Sequence, residues 1–124
     1  LPLDTALEGI SQVLFKVSGA GKGSFLSVLK KFGKANANLL SFPQTGYTLS
    51  LDFKREKSLF PLLDGLDEIV LAHGGKIYLA KDARMSESVF KAGYPEWEKF
   101  LETKLKVDPR GIFASLQSER IGLT

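Results

Sequence analysis

The seven residues Tyr47-Thr48-Leu49-Ser50-Leu51-Asp52-Phe53 alternate apolar and polar without a break. That period of two belongs to a strand with one covered face and one wet face. Tyr47, Leu49, Leu51 and Phe53 must find cover, while Thr48, Ser50 and Asp52 look the other way, toward water or toward a substrate or cofactor. A turn at Gln44-Thr45-Gly46 precedes this strand. Upstream, Ser24 to Phe32 reads as another strand, with Phe25, Leu26, Val28, Leu29 and Phe32 as its apolar residues and Lys30 near its end. A polar loop, Gly33 to Asn38, and an extended stretch through Leu40-Ser41-Phe42-Pro43 join the two.

Two helical patterns supply the cover. Leu7, Ile10, Val13, Leu14 and Val17 recur at helical spacing, from a Thr5-x-x-Glu8 capping box to about Ser18, and Gly19 stops the run. Beyond the strand, Ser58 is placed to cap a helix that tolerates Pro61 in its first turn, with Leu59, Leu62, Leu63, Leu66, Ile69 and Val70 on its apolar face. His73, the only histidine, falls at the end of that helix, where a partly positive ring suits the dipole. It has no second histidine or cysteine for a metal site or a nucleophilic triad.

Gly74-Gly75 then end the helix, and Lys76 to Ala80 alternates as a short strand with Lys81, Asp82 and Arg84 at its exit. Leu1-Pro2-Leu3 reads as the tail of a strand whose beginning is absent. The order is therefore strand, helix, strand, strand, helix, strand. This predicts an α+β fold of ferredoxin-like βαββαβ type, an antiparallel sheet with its first strand truncated and both helices on one face. Residues 1–80 form that domain, and 81–124 a helical C-terminal segment. In the latter Pro95 opens a helix with Trp97, Phe100, Leu101 and Leu105 as its stripe, and Asp108-Pro109-Arg110-Gly111 ends it. Ile112, Phe113 and Leu116 are expected to anchor a short last helix.

At 124 residues the chain is large enough for one core and too small for an enzyme domain plus a separate cofactor domain. It opens without an initiator Met, and missing upstream sequence is expected. A formal charge of +3 permits an anionic ligand but falls short of a nucleic-acid footprint. The absence of cysteine removes disulfides and thiolate metal sites, and no metal site is expected. Gly19-Ala20-Gly21-Lys22-Gly23-Ser24 has phosphate-loop residues in the wrong order: Gly23 separates Lys22 from Ser24, and a helix precedes where a strand is required. Localisation, whether cytoplasmic or at a membrane, is open.

Taken in order, Leu29-Lys30-Lys31-Phe32-Gly33, Leu40-Ser41-Phe42-Pro43, Gly46-Tyr47, Leu51-Asp52-Phe53, Gly74 to Arg84, Tyr94-Pro95-Glu96-Trp97 and Val107 to Ser115 form a series. That series resembles the C-terminal portion of FAD-linked oxidases of the vanillyl-alcohol-oxidase superfamily, nearest to the decaprenylphosphoryl-ribose oxidase group. The resemblance implies an FAD-dependent oxidoreductase acting on a sugar, sugar lactone or secondary alcohol, with FAD gripped mainly by a missing N-terminal domain on which residues 81–124 pack. It matches Lys81 to a lysine beside the flavin, Tyr78 to a position lining the flavin side, and Lys30 to a lysine facing the substrate. Lys81 and Lys30 are thus the catalytic candidates, Lys81 and Tyr78 the cofactor-binding ones, and Lys30, Thr48 and Ser50 the substrate-binding ones. Thr48 stands where the nearest relatives carry Asn, and Ser50 where several carry Cys, so the substrate is open. The isolated chain is expected to be inactive and prone to self-association through uncovered apolar surface.

The fold alone also serves small-molecule-binding or assembly modules without catalysis. RNA binding would need aromatics along the exposed strand faces, and no such pattern is present. No nucleic-acid partner is expected.

Overall fold

The computed structural model describes residues Leu1–Thr124. Strands β1 (Leu26–Phe32) and β2 (Gly46–Asp52) pair antiparallel, with Lys30 opposite Thr48 and Val28 opposite Ser50. Helices α1 (Ala6–Gly19) and α2 (Leu59–Ala72) cover one side of β2. Val13, Val17, Leu59, Leu62 and Leu66 are buried between them, with Leu49, Leu51 and Phe53 packed against this cluster. The alternation thus resolves as expected: the apolar set of β2 lies under the helices, each buried side chain contributing about 1.5–3 kcal/mol.

Helix α1 is rotated from its expected facing. Ala6, Gly9, Val13 and Val17 are buried, whereas Leu7 and Leu14 lie exposed beside Phe15. The cause is close approach to the end of α2: a Cβ on Gly9 would come 3.1 Å from the His73 ring, so the small-residue side turns inward. The capping box at Thr5 does not form, because Thr5 Oγ1 donates to the His73 carbonyl at 2.7 Å and ties the start of α1 to the end of α2. Ser58 likewise makes no side-chain cap and instead accepts from Lys22 Nζ at 3.0 Å. His73 does cap α2, its Nδ1 lying 2.8 Å from the Ile69 carbonyl.

The class is α+β, with an antiparallel sheet and five helices. The outer strands differ from expectation. Leu1–Pro2 supplies only a single bridge, Pro2 to Gly46. Lys76 to Ala80 is not a ladder strand: it runs without sheet pairing into a 3₁₀ turn at Leu79–Lys81. A strand is completed by its neighbour's main chain, and no strand lies between this stretch and the outer edge of β2.

A second core gathers α3 (Glu87–Gly93), α4 (Trp97–Val107) and α5 (Leu116–Arg120). Met85, Phe90, Tyr94, Ile121 and Leu123 are buried there, and Trp97, Phe100 and Leu101 pack onto them, while Leu105 is exposed. Tyr94 Oη donates to the Ile77 carbonyl at 2.7 Å, fastening this core to the stretch that leads to Lys81. The turn after α4 closes because Asp108 accepts the N–H groups of Ile112 and Phe113 at 2.9 and 2.8 Å. Ile112, Phe113 and Leu116, expected as anchors, are exposed. Ile121 and Leu123 hold the end of the chain in their place.

Candidate functional site

Residues directly opposite in an antiparallel pair share a face. The register therefore sets Lys30, Thr48 and Ser50 together on the side of the sheet away from α1 and α2. Lys81 reaches the same side from the 3₁₀ turn: its Nζ donates to Ser50 Oγ at 3.2 Å and lies 3.9 Å from Asp52. Tyr78, half exposed, sets its ring 4.8 Å from Phe42, which meets Phe32 edge-on at 5.8 Å. All these residues line one cavity of about 780 Å³. Lys30 and Lys81 bring ammonium groups to it, Thr48 and Ser50 hydroxyls, and Phe32, Phe42 and Tyr78 an aromatic wall, a set suited to a hydroxyl-rich small molecule beside a planar ring.

The aromatic wall was not read from the sequence as part of the site. Phe32 follows Lys30 by two positions, so the strand period could have placed it there. Phe42 sits in an irregular loop and carries no periodic signal.

Lys81 owes its position to the residues after it. Asp82 accepts the N–H groups of Arg84 and Met85 at 3.0 and 2.7 Å, and its other oxygen pairs with Arg120 of α5. Gln117 donates to the Leu79 carbonyl at 2.7 Å. Arg84 turns the opposite way, onto α2, reaching Asp64 at 2.6 Å, Asp67 at 2.7 Å and the Leu63 carbonyl at 3.0 Å. The loop is thereby riveted to both cores. Burial pushes the Asp67 carboxyl up against the pull of Arg84, and its Oδ2 is buried without a partner.

Burial also acts to raise the Asp82 carboxyl, but the N–H bonds of Arg84 and Met85, the Gln117 amide and Arg120 outweigh it and hold the group below the ordinary aspartate value. A carboxyl lowered on folding stabilises the native state fully above its unfolded-state pKa, and that contribution is lost as pH falls through the lowered value. Stability should therefore decline below about pH 4, and Asp82→Asn should flatten that acid limb. Urea titrations of the two proteins between about pH 3 and 6 check this.

The glycine-rich connection after α1 holds no free phosphate cradle, since Lys22 is paired with Glu56 and Ser58. No group of three or more His, Asp or Glu is placed to hold a metal ion. No helix is long and apolar enough to cross a membrane.

Comparison with known proteins gives a consistent result. Residues 48–121 match the family model for D-arabinono-1,4-lactone oxidase. The chain is 36% identical over 118 residues to decaprenylphosphoryl-β-D-ribose oxidase of Mycolicibacterium smegmatis, covering 95% of this chain and 26% of that protein. It is 39% identical over 109 residues to an uncharacterised protein in the mprA 5′ region of Streptomyces coelicolor, covering 87% of this chain and 30% of that one. The chain thus spans less than a third of the length of either relative.

Proposed function

The chain belongs to the D-arabinono-1,4-lactone oxidase family, and on that premise we propose that it is the C-terminal part of a longer FAD-dependent oxidoreductase that oxidises a sugar, sugar lactone or other secondary alcohol. The observation that carries this reading is the convergence of Lys81, Lys30, Thr48, Ser50 and Tyr78 on one cavity. None of the five was chosen for its spatial neighbours. Three separate segments of chain deliver them: β1 brings Lys30, β2 brings Thr48 and Ser50, and the stretch into the 3₁₀ turn brings Tyr78 and Lys81.

The residues present fit one end of a flavin. The Lys81 side chain is 63% exposed and engaged only by a neutral hydroxyl and a carboxylate at 3.9 Å, so its charge is available to an anionic group. Tyr78 presents an exposed ring beside Phe42. Nothing here cradles a pyrophosphate, which accords with that duty falling to a separate domain. When bound, FAD supplies the hydride acceptor. Lys81 holds a fixed cation at the cavity wall, where it favours negative charge gathering on a bound group. Lys30, Thr48 and Ser50 donate hydrogen bonds that hold and orient substrate hydroxyls. The exposed Ile112, Phe113 and Leu116 supply apolar surface for residues 81–124 to pack on the cofactor domain.

The test uses the longer flavin-loaded enzyme with a panel of sugar lactones and polyols under anaerobic conditions. Bleaching of the flavin by a member of the panel is expected, and bleaching by none would defeat the reading. Lys30→Met should raise KM about tenfold, the loss of one charged hydrogen bond, with a smaller effect on the rate at saturation. A reduced kcat at unchanged KM would instead place Lys30 in the chemical step.

A further inference from the structure

The turn that carries Lys81 has no ladder to hold it. Within it, the Lys81 and Asp82 N–H groups bond back to the Tyr78 and Leu79 carbonyls at 3.1 and 3.2 Å. The acceptors on either side of Lys81 are taken by α5. Arg120 spreads its guanidinium over three of them: Nε donates to the Met85 carbonyl at 3.1 Å, Nη1 to the Ala83 carbonyl at 3.1 Å, and Nη2 to Asp82 Oδ2. Gln117, one helical turn earlier and so on the same face, donates through Nε2 to the Leu79 carbonyl at 2.7 Å and to Asp82 Oδ2 at 3.4 Å. The two side chains grip the main chain both before Lys81 and after it.

Helix α5 is itself fixed. Ser115 caps it by accepting the Ser118 N–H at 3.1 Å, and just beyond it Ile121 and Leu123 are buried in the second core. Gly122 makes the bend between those two at φ +72°, a conformation that glycine adopts without a Cβ penalty. The clasp therefore extends that core to the turn. Nothing comparable holds the Lys81 side chain. Its ammonium, on a flexible four-carbon stem, touches Ser50 Oγ at 3.2 Å and lies 3.9 Å from Asp52. Where the main chain sits thus decides where the charge sits, and a misplacement of about 1 Å can cost about a hundredfold in rate.

We propose that Gln117 and Arg120 are positioning residues for the reaction: they act through Lys81, and the last helix of the chain sets how well that cation serves the bound flavin. The inference rests on the reading of Lys81 as the flavin-side cation. Neither side chain lines the cavity, so neither contacts what binds there. Their influence passes along the main chain of the turn, from the Leu79 carbonyl on one side of Lys81 and from Asp82 and the Ala83 carbonyl on the other. The same clasp supports Tyr78 less directly, because its nearest bond falls on the residue after Tyr78.

A double-mutant cycle in the longer flavin-loaded enzyme tests this. Arg120→Met is expected to slow flavin reduction about tenfold with KM little changed, and Gln117→Leu, which leaves the Arg120–Asp82 pair in place, about threefold. In the Lys81→Met background neither substitution should slow it further, since no cation is left to position. Losses that add to that of Lys81→Met overturn the proposal, because they would show the two side chains acting on the whole fold. The midpoint potential of the bound flavin is a readout that turnover does not enter. A nearby cation raises it, so it should fall in Arg120→Met as in Lys81→Met, and by no more in the double variant than in Lys81→Met alone. If Arg120→Met does not fold, the same comparison with Gln117→Leu decides the matter. Lys81→Met without effect on rate or potential would defeat the functional reading. A fall in both with Lys81→Met, but in neither with the α5 variants, would defeat the clasp alone.

Discussion

Lys81→Met in the flavin-loaded enzyme is expected to slow flavin reduction about a hundredfold with FAD still bound, a loss of about 3 kcal/mol of transition-state stabilisation. Methionine keeps most of the apolar stem and deletes the cation. The variant should fold, because the ammonium's contacts within the chain are weak. It makes one bond to the Ser50 hydroxyl and one carboxylate contact at 3.9 Å, on a side chain that is 63% exposed. An exposed pair of that kind contributes at most about 1 kcal/mol. Its placement comes from the turn and from the rivets at Asp82 and Arg84, not from its own side chain. Stopped-flow reduction separates the two roles. A near wild-type rate with full flavin occupancy would leave Lys81 an ordinary surface charge.

Phe90→Ala should destabilise the protein by about 3–5 kcal/mol, the cost of removing a large ring from a packed core. Phe90 is wholly buried, stacks on Tyr94 at 5.4 Å between centroids and shares its cluster with Met85, Ile121 and Leu123. For a chain of this size that corresponds to a fall in Tm of roughly 10–20 °C. Tyr94 also holds the Ile77 carbonyl, so loosening this core should free the stretch before Lys81. Hydrogen exchange at Lys81 and Asp82, whose N–H groups close the turn onto the Tyr78 and Leu79 carbonyls, is expected to accelerate more than at Val13 or Leu66. Equal acceleration everywhere would mean that the two cores melt as one unit.

The hairpin and the two covering helices were legible because their periods differ and are each sustained: two along Tyr47–Phe53, about 3.6 along Leu59–Val70. From the strand period alone, Thr48 and Ser50 fall on one face. Adding Lys30 to them needs the pairing register, which follows once a loop joins the strands. Lys81 and Tyr78 were found by resemblance, since nothing periodic marks them. The alternation of Lys76–Ala80 indicated an extended segment, but a ladder depends on a neighbour that local sequence cannot report. Leu7 and Leu14 failed for a similar reason. They fit a helical stripe, but Gly9 against His73 decided which stripe faces inward. The pairs Arg84–Asp67 and Arg120–Asp82 join residues far apart in the chain, and no spacing rule selects them among 17 basic and 14 acidic residues.

The rivet between Asp82 and Arg120 also sets an order of events during synthesis. The two partners are 38 positions apart, so at roughly 5–20 residues per second Arg120 is made about two to eight seconds after Asp82. During that interval the turn that carries Lys81 has its attachment to α2 but lacks its attachment to α5. On the ribosome the strand pair and its helices can therefore settle first, with Lys30 already at the cavity, and the turn that carries Lys81 gains its second attachment only when α5 has emerged and folded back.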